Sequence, residues 1–281
     1  MRVAYFGGDM FYGCMELLIQ SGHEIIMLFT VTPGKEEYDF TQNVCRQADA
    51  LDIPVICSKP TGEDIKKLQR KGCDMILSAG YSYKIPWHES VIQYGINIHP
   101  SLLPEGAGPM PLPLVIIKGL KKTGVTLHKL SPDWDAGDIL LQESFPLFGN
   151  ENLEGLYCES HILAVALLKR FLESPEKFWN NSIPQMRQEG DYWPKPHPEE
   201  IIVNYSKDLQ TINQHLRAHR FVFPDGSIEF ISGVSFWQQS HNFEPGTILS
   251  NKNGTCLAAA ADGLVCFTLE TKAPPKYTMI S

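Results

Sequence analysis

Residues 24–31 read EIIMLFTV, a nearly unbroken apolar run of strand length. A strand with one wet face alternates apolar and polar side chains. A strand covered on both faces does not, and such strands belong to parallel sheets packed between helices. Before this run stands RVAYF at residues 2–6, turned by Gly7-Gly8-Asp9 into a helical pattern with Met15, Leu18 and Ile19 on one face. After it, Pro33 and Gly34 end the strand, and the pattern predicts a helix over residues 39–51 and a strand over 54–57. A further helix opens at Thr61, whose spacing to Asp64 fits a capping box. MILSA (75–79) and GINI (95–98) are the next strands. Strand and helix alternating in this way predict an α/β, Rossmann-like, doubly wound and mostly parallel sheet. Ligands of such sheets bind beyond the carboxyl ends of the strands, which puts Gly7-Gly8, Gly80-Tyr81 and His99-Pro100 on the functional rim. The first loop, FGGDMFYG, does not match G-x-G-x-x-G, so it does not read as a dinucleotide site.

The rest of the chain changes character. Residues 139–147 read as a strand and 153–171 as a long amphipathic helix. DYWPKPHPEE (191–200), with three prolines, reads as a linker. A helix over 206–219 places Leu209, Ile212 and Leu216 on one face. The runs SIEF, GVSFW, GTILS, TCLAA and LVCFTLE follow, broken at Asp225-Gly226, Pro245-Gly246 and Asn253-Gly254. The expected organisation is a catalytic domain over 1–190, a linker over 191–202, and a small, mostly-β, OB-like domain over 203–281.

With 281 residues, 43% of them hydrophobic and 20% charged, the chain has the composition of a soluble globular protein. No apolar run reaches bilayer length, and the N-terminus carries no signal-peptide pattern, so the cytoplasm is the expected location. The seven cysteines are scattered, odd in number and without a C-x-x-C pair, which argues against a disulfide framework or a zinc site. The net charge of −8 disfavours a nucleic-acid partner. The basic clusters, Lys66-Lys67 with Arg70-Lys71 and Lys118 with Lys121-Lys122, read as solvated helix faces or ends.

The chemistry concentrates in residues 95–141. Asn97 and His99 are two apart on a strand, so they share a face, and Pro100 ends that strand beyond them. The next β-run closes on an acidic turn containing Asp133, Asp135 and Asp138, among which the pattern does not choose. An amide that can hydrogen-bond an oxyanion, an imidazole that can move protons and a carboxylate that can orient it form a working set for acyl transfer. His128, on the neighbouring run, reads as structural, and Trp134 and Trp237 as packing residues.

INIHPSLLPEGAGP followed by KTGVTLHKLSPDWDAGDILLQ resembles the formyltransferases that use 10-formyltetrahydrofolate, among them methionyl-tRNA, glycinamide ribonucleotide and amino-sugar N-formyltransferases. The resemblance spans about the first 180 residues and continues more weakly through NQHLRAHRFVFPDG and EPGTILS. It implies Asn97, His99 and Asp135 as the catalytic trio, with Asp135 favouring protonated His99, and Asp138 as a turn residue bordering the cofactor site. It implies direct formyl transfer from N10 of the folate to a primary amine, with no metal. Ser78, Ala79, Gly80, Tyr81, Tyr83 and Ile85 fall where the family binds folate. Gly8, Met10, Phe11, Ser101, Gly108 and Pro109 are the expected substrate-side residues.

The acceptor is reached by exclusion. An acidic chain without a basic insertion between Val31 and Leu51 does not suit tRNA, and glycinamide ribonucleotide enzymes generally lack such a C-terminal domain. A nucleotide-linked amino sugar is the expected small-molecule partner. Methionyl-tRNA, a peptide or small amine, and water (a formyltetrahydrofolate hydrolase) are the alternatives, and a homodimer stays open.

Overall fold

The computed structural model describes residues 1–31, 42–186, 188, 191–197, 203–219 and 231–269. It divides into two compact units. In the first, β1 (Arg2–Gly7), β2 (Glu24–Phe29), β3 (Val55–Ile56), β4 (Met75–Ala79) and β5 (Tyr94–His99) run parallel. β6 (Lys122–Lys129) and β7 (Ile139–Pro146) extend the sheet antiparallel. The strand order is β3-β2-β1-β4-β5-β6-β7. The order reverses between β1 and β4, the switch point where ligands of doubly wound sheets bind. β4 is the middle strand, and β5 is where parallel pairing gives way to antiparallel.

Alternation along β1 divides the core. Val3 and Tyr5 pack with Met15 and Leu18 of α1 (Tyr12–Gln20) and with Leu167, Leu168 and Phe171 of α5 (Leu153–Glu173). Ala4 and Phe6 point the other way, onto Ile65 and Leu68 of α3 (Gly62–Arg70). Phe6 and Phe29 stack with centroids 4.2 Å apart, tying β1 to β2 on that face. The run that reads EIIMLFTV is buried from Ile25 to Thr30, which is why it lacks alternation. Thr61 caps α3 as its spacing predicts, its side chain and that of Asp64 each taking the other's backbone amide. The helix expected over 39–51 is α2 (Gln42–Ala50), and residues 39–41 lie outside the described segments. α4 (Pro111–Ile117) precedes β6, and α6 (Pro175–Asn180) follows α5.

The second unit contains an antiparallel sheet of order β8-β11-β10-β9, from β8 (Ile231–Gln238), β9 (Ile248–Lys252), β10 (Thr255–Ala259) and β11 (Gly263–Leu269). Among the described residues β8 and β9 are its edges; SIEF lies outside them. α7 (Leu209–His219) lays Leu209, Ile212 and Leu216 on this sheet, against Cys256, Ala258, Val265 and Phe267. Asn253 and Gly254, both at positive φ, make the two-residue hairpin that their sequence announces. Among the described residues no disulfide is formed. Among the described residues no helix is long and apolar enough to cross a membrane.

One long-range cap fixes the rim. The Asp9 carboxylate, just past β1, accepts the backbone amides of Asn43 (3.0 and 2.9 Å) and Val44 (2.9 Å) in the first turn of α2. These are the amides a local N-cap would take. Asp9→Ala is expected to cost about 1–2 kcal/mol in urea unfolding, a charge-assisted cap at the upper end of the usual range. Loss of the exposed Asp133 carboxylate should cost much less, and equal effects of the two variants would show that the cap carries no stability.

Candidate active site

Register across three strands builds the polar centre. Ser78 on β4, Asn97 on β5 and His128 on β6 stand abreast, and His99 stands beside Thr126. Ile96 and Ile98 point into the core, so Asn97 and His99 project from the opposite face. Asn97 Nδ2 lies 2.9 Å from His128 Nε2 and donates to Asp135 Oδ1 at 3.3 Å. His128 Nδ1 lies 2.8 Å from the Lys129 carbonyl oxygen, which an Nδ1 proton satisfies.

Asp135 enters from the β6–β7 turn with φ 50, a left-handed conformation that aspartate tolerates better than most residues. Gln185 Nε2 braces that turn by donating to the carbonyls of Asp135 (2.8 Å) and Gly137 (2.7 Å). The Asp135 carboxylate also accepts the Gly108 amide at 3.0 Å and lies 3.5 Å from His99 Nδ1 and 3.7 Å from His128 Nε2. Burial pushes its pKa up, but His99, His128 and the Gly108 amide together outweigh burial, and the group titrates at about 2. Of the three aspartates the sequence leaves open, geometry brings only this one to His99. Asp133 is exposed, and Asp138 pairs with Ser182 (3.0 Å) and Lys129 (3.4 Å).

His99 is 5% exposed, and its Nε2 lies 2.8 Å from the Gly106 carbonyl oxygen. Both ring nitrogens therefore face oxygen acceptors, an arrangement that suits the doubly protonated ring. The loop after His99 is held from beneath. Thr126 Oγ1 donates to the Ser101 carbonyl (2.6 Å) and accepts from the Leu103 amide (3.2 Å) and Gln142 Nε2 (2.8 Å). Gln142 Nε2 also donates to the Leu103 carbonyl at 2.8 Å. Ser101, expected on the substrate side, is 2% exposed and donates to the Glu105 carbonyl within that loop.

The remaining expected residues divide between surface and core. Ser78 and Ala79 are buried at the end of β4, and Gly80 follows at φ 72. Tyr81 packs edge-on to Phe6 (5.4 Å) and Tyr83 (5.6 Å), its hydroxyl buried without a hydrogen-bond partner; Ile85 lies in the core beneath it. Gly8 and Met10 are half-buried on the rim, Pro109 is exposed and Gly108 is buried. Phe11, named with Met10 on the substrate side, is fully buried in the core and packs at the start of α1. Its carbonyl accepts the Tyr5 hydroxyl at 2.9 Å, and the Met10 carbonyl lies 2.8 Å from His161 Nδ1. The sequence reading passes over His128 as a partner of Asn97, although pairing the two runs antiparallel would have placed them side by side. Gln142 and Gln185 carry no sequence signal of their own. Among the described residues no group of three or more His, Cys, Asp or Glu could hold a metal ion.

The Asp135 pKa, lowered in the folded protein, ties stability to pH. The stabilisation is complete above the unfolded value of 3.8 and drains away as pH falls towards about 2. Asp135→Asn keeps the left-handed turn and removes the charge. Its deficit in unfolding free energy should be about 2 kcal/mol at pH 6 and roughly half that at pH 3. A deficit that does not change over this interval would contradict the assignment.

Comparison with known proteins gives the family. The family described as Formyl transferase matches residues 34–172. The methionyl-tRNA formyltransferase of Anaplasma marginale is 32% identical over 237 residues, covering 80% of this chain and 77% of its own. Among solved structures, the N-formyltransferase of Helicobacter canadensis, in complex with folinic acid and dTDP-3-aminofucose, superposes with a TM-score of 0.66 at 15% identity, covering 96% of this chain and 99% of that one. HypX of Aquifex aeolicus gives a TM-score of 0.68 at 20% identity over 95% of this chain, which spans 44% of the HypX chain. At those identities the two structures attest the fold alone. With the sequence relative beside them, the chain belongs to the formyl transferase family.

Proposed function

We propose that this protein moves the formyl group of 10-formyltetrahydrofolate to a primary amine, with Asn97, His99 and Asp135 as its catalytic residues. The observation that carries this reading is the single buried carboxylate of Asp135 facing both His99 (3.5 Å) and Asn97 (3.3 Å) at the carboxyl end of β5. The donor supplies a formyl carbon open to attack by the amine, with tetrahydrofolate departing. Asn97 donates to the formyl oxygen as it gains charge, giving up its long 3.3 Å bond to Asp135 in exchange. His99, protonated, stabilises the same oxygen and holds the proton that the departing nitrogen needs. Asp135 stays ionised and sustains the charge on His99, and the proton released by the attacking amine replaces the one His99 gives to the departing nitrogen. His128 keeps the Asn97 amide turned towards the site.

The residues after β4 fit the donor. The Tyr81 hydroxyl is buried and without a partner, beside two aromatic rings, which suits a flat heterocycle with a hydrogen-bonding edge. Asp138, held by Ser182 and Lys129, is the turn residue that would border the donor in this reading. In this reading residues 1–190 carry the catalysis and the enzyme works in the cytoplasm.

For the acceptor we favour an amino sugar linked to a nucleotide. The net charge of −8 supports this, since a tRNA acceptor would call for basic surface. The basic residues among 66–71 lie exposed on α3 and just beyond it, and those among 118–122 lie exposed between α4 and the start of β6. A second reading, formylation of methionyl-tRNA, is favoured by the Anaplasma marginale relative.

His99→Ala and Asn97→Ala should each lower kcat on the order of 10²- to 10⁴-fold while the protein stays folded. Wild-type turnover in either would refute the trio. Release of tetrahydrofolate should require an added amine; release with water alone would mark a hydrolase. A panel of nucleotide-linked amino sugars, read by mass for the gain of one CO unit, separates the acceptors. A product formed on methionyl-tRNA instead, with affinity falling steeply as salt rises, would favour the second reading.

A further inference from the structure

We infer that residues 191–193, which read in the sequence as the start of a linker, are a strap that positions His99 and Asp135 through two peptide planes of the Gly106–Gly108 loop. The inference rests on the formyl-transfer reading above. The Ala107 amide donates to the Asp191 carbonyl at 3.0 Å, and the Trp193 amide donates to the Ala107 carbonyl at 2.6 Å, so residue 107 pairs with Tyr192 as in a short parallel ladder. In a trans peptide the N–H and the C=O point to opposite sides of one rigid plane. The Ala107 N–H shares its plane with the Gly106 C=O. The strap therefore takes one edge of this plane, and the other edge is the oxygen 2.8 Å from His99 Nε2. The Ala107 C=O shares its plane with the Gly108 N–H. Here too the strap takes one edge, and the other donates to Asp135 at 3.0 Å. Each catalytic partner is thus aimed from behind by one strap hydrogen bond.

The side chains explain why the strap holds this course. Trp193 is 4% exposed while Tyr192 beside it is 50% exposed, so the strap is anchored by one ring. A Cβ on Gly106 would meet that ring (3.1 Å) and the Ser101 side chain (2.9 Å). A Cβ on Gly108, at φ 128, would overlap the Trp193 carbonyl oxygen. Two glycines in three residues are what this close approach requires. Asp191, at the other end, accepts the Gln188 amide at 2.6 Å. Trp193 acts on His99 and Asp135 through the Gly106–Gly108 loop and is a positioning residue.

The test compares Trp193→Ala, Trp193→Phe and His99→Ala in one formyl-transfer assay, with kcat, the KM for 10-formyltetrahydrofolate and the pH dependence of kcat as readouts. Trp193→Ala should lower kcat on the order of 10- to 100-fold, as small misplacements of reacting groups do. Its KM for the donor should change far less. Without a fixed Gly106 carbonyl, protonated His99 is less favoured, so the alkaline limb of the kcat profile should move to lower pH. Trp193→Phe should restore most of both. If Trp193→Ala keeps wild-type kcat and limb while His99→Ala is inactive, the strap inference fails alone. If His99→Ala is active, the underlying reading fails. Should Trp193→Ala not fold, replacing residue 193 by the α-hydroxy acid of the same side chain deletes only the donor N–H. The same loss and shift are expected there, and an unchanged profile overturns the inference.

Discussion

Asp135 holds a negative charge where water scarcely reaches it, and the rest of the site is arranged around that charge. A buried carboxylate without partners costs several kcal/mol, so its place is stable only while the groups that face it stay put. Those groups come from separate segments: Asn97 and His99 from β5, His128 from β6 and the Gly108 amide from the loop between. None of these segments can shift alone without uncovering the charge. The carboxyl titrates far below its ordinary value because the partners outweigh burial. A stability requirement and a chemical one thus coincide on one side chain.

Around the carboxylate, backbone does much of the positioning. The loop from Ser101 to Gly108 contributes a carbonyl to His99 and an amide to Asp135, and such a loop must have its own polar groups satisfied to stay still. Thr126 and Gln142 do this at its start, and the strap at residues 191–193 does it at its end. The rim across the switch point is pinned in the same manner. Asp9 reaches α2, Tyr5 holds the Phe11 carbonyl and His161 stands on the Met10 carbonyl. Two loops on either side of the sheet's reversal are rigid for the same reason: side chains from distant strands and helices take their free backbone groups.

Local patterns foretold the elements well. EIIMLFTV lacks alternation because both its faces are covered, the Thr61–Asp64 spacing does cap α3, and Asn253-Gly254 does turn a hairpin. The residue pair Asn97 and His99 was legible for the same reason, since two positions on one strand share a face whatever surrounds them. The choice among Asp133, Asp135 and Asp138 was not legible from composition, because any of them suits a turn; family resemblance pointed to one, and distance to His99 agrees with it.

Periodicity, capping and turn chemistry depend on neighbours in the chain, so the sequence by itself determined the mostly parallel sheet, the small β unit and the strand that ends at His99. Three features were decided only in the tertiary structure. His128 gained its place beside Asn97 from the register of β5 against β6. Phe11 gained its full burial from the core that β1, α1 and α5 share around it. Residues 191–193, rich in the signals of a linker, pair with Ala107 as a short ladder because Gly106 and Gly108 leave room for a second backbone beside them. Each depends on contacts between residues far apart in the chain, where pairing geometry, and not local preference, chooses the partner.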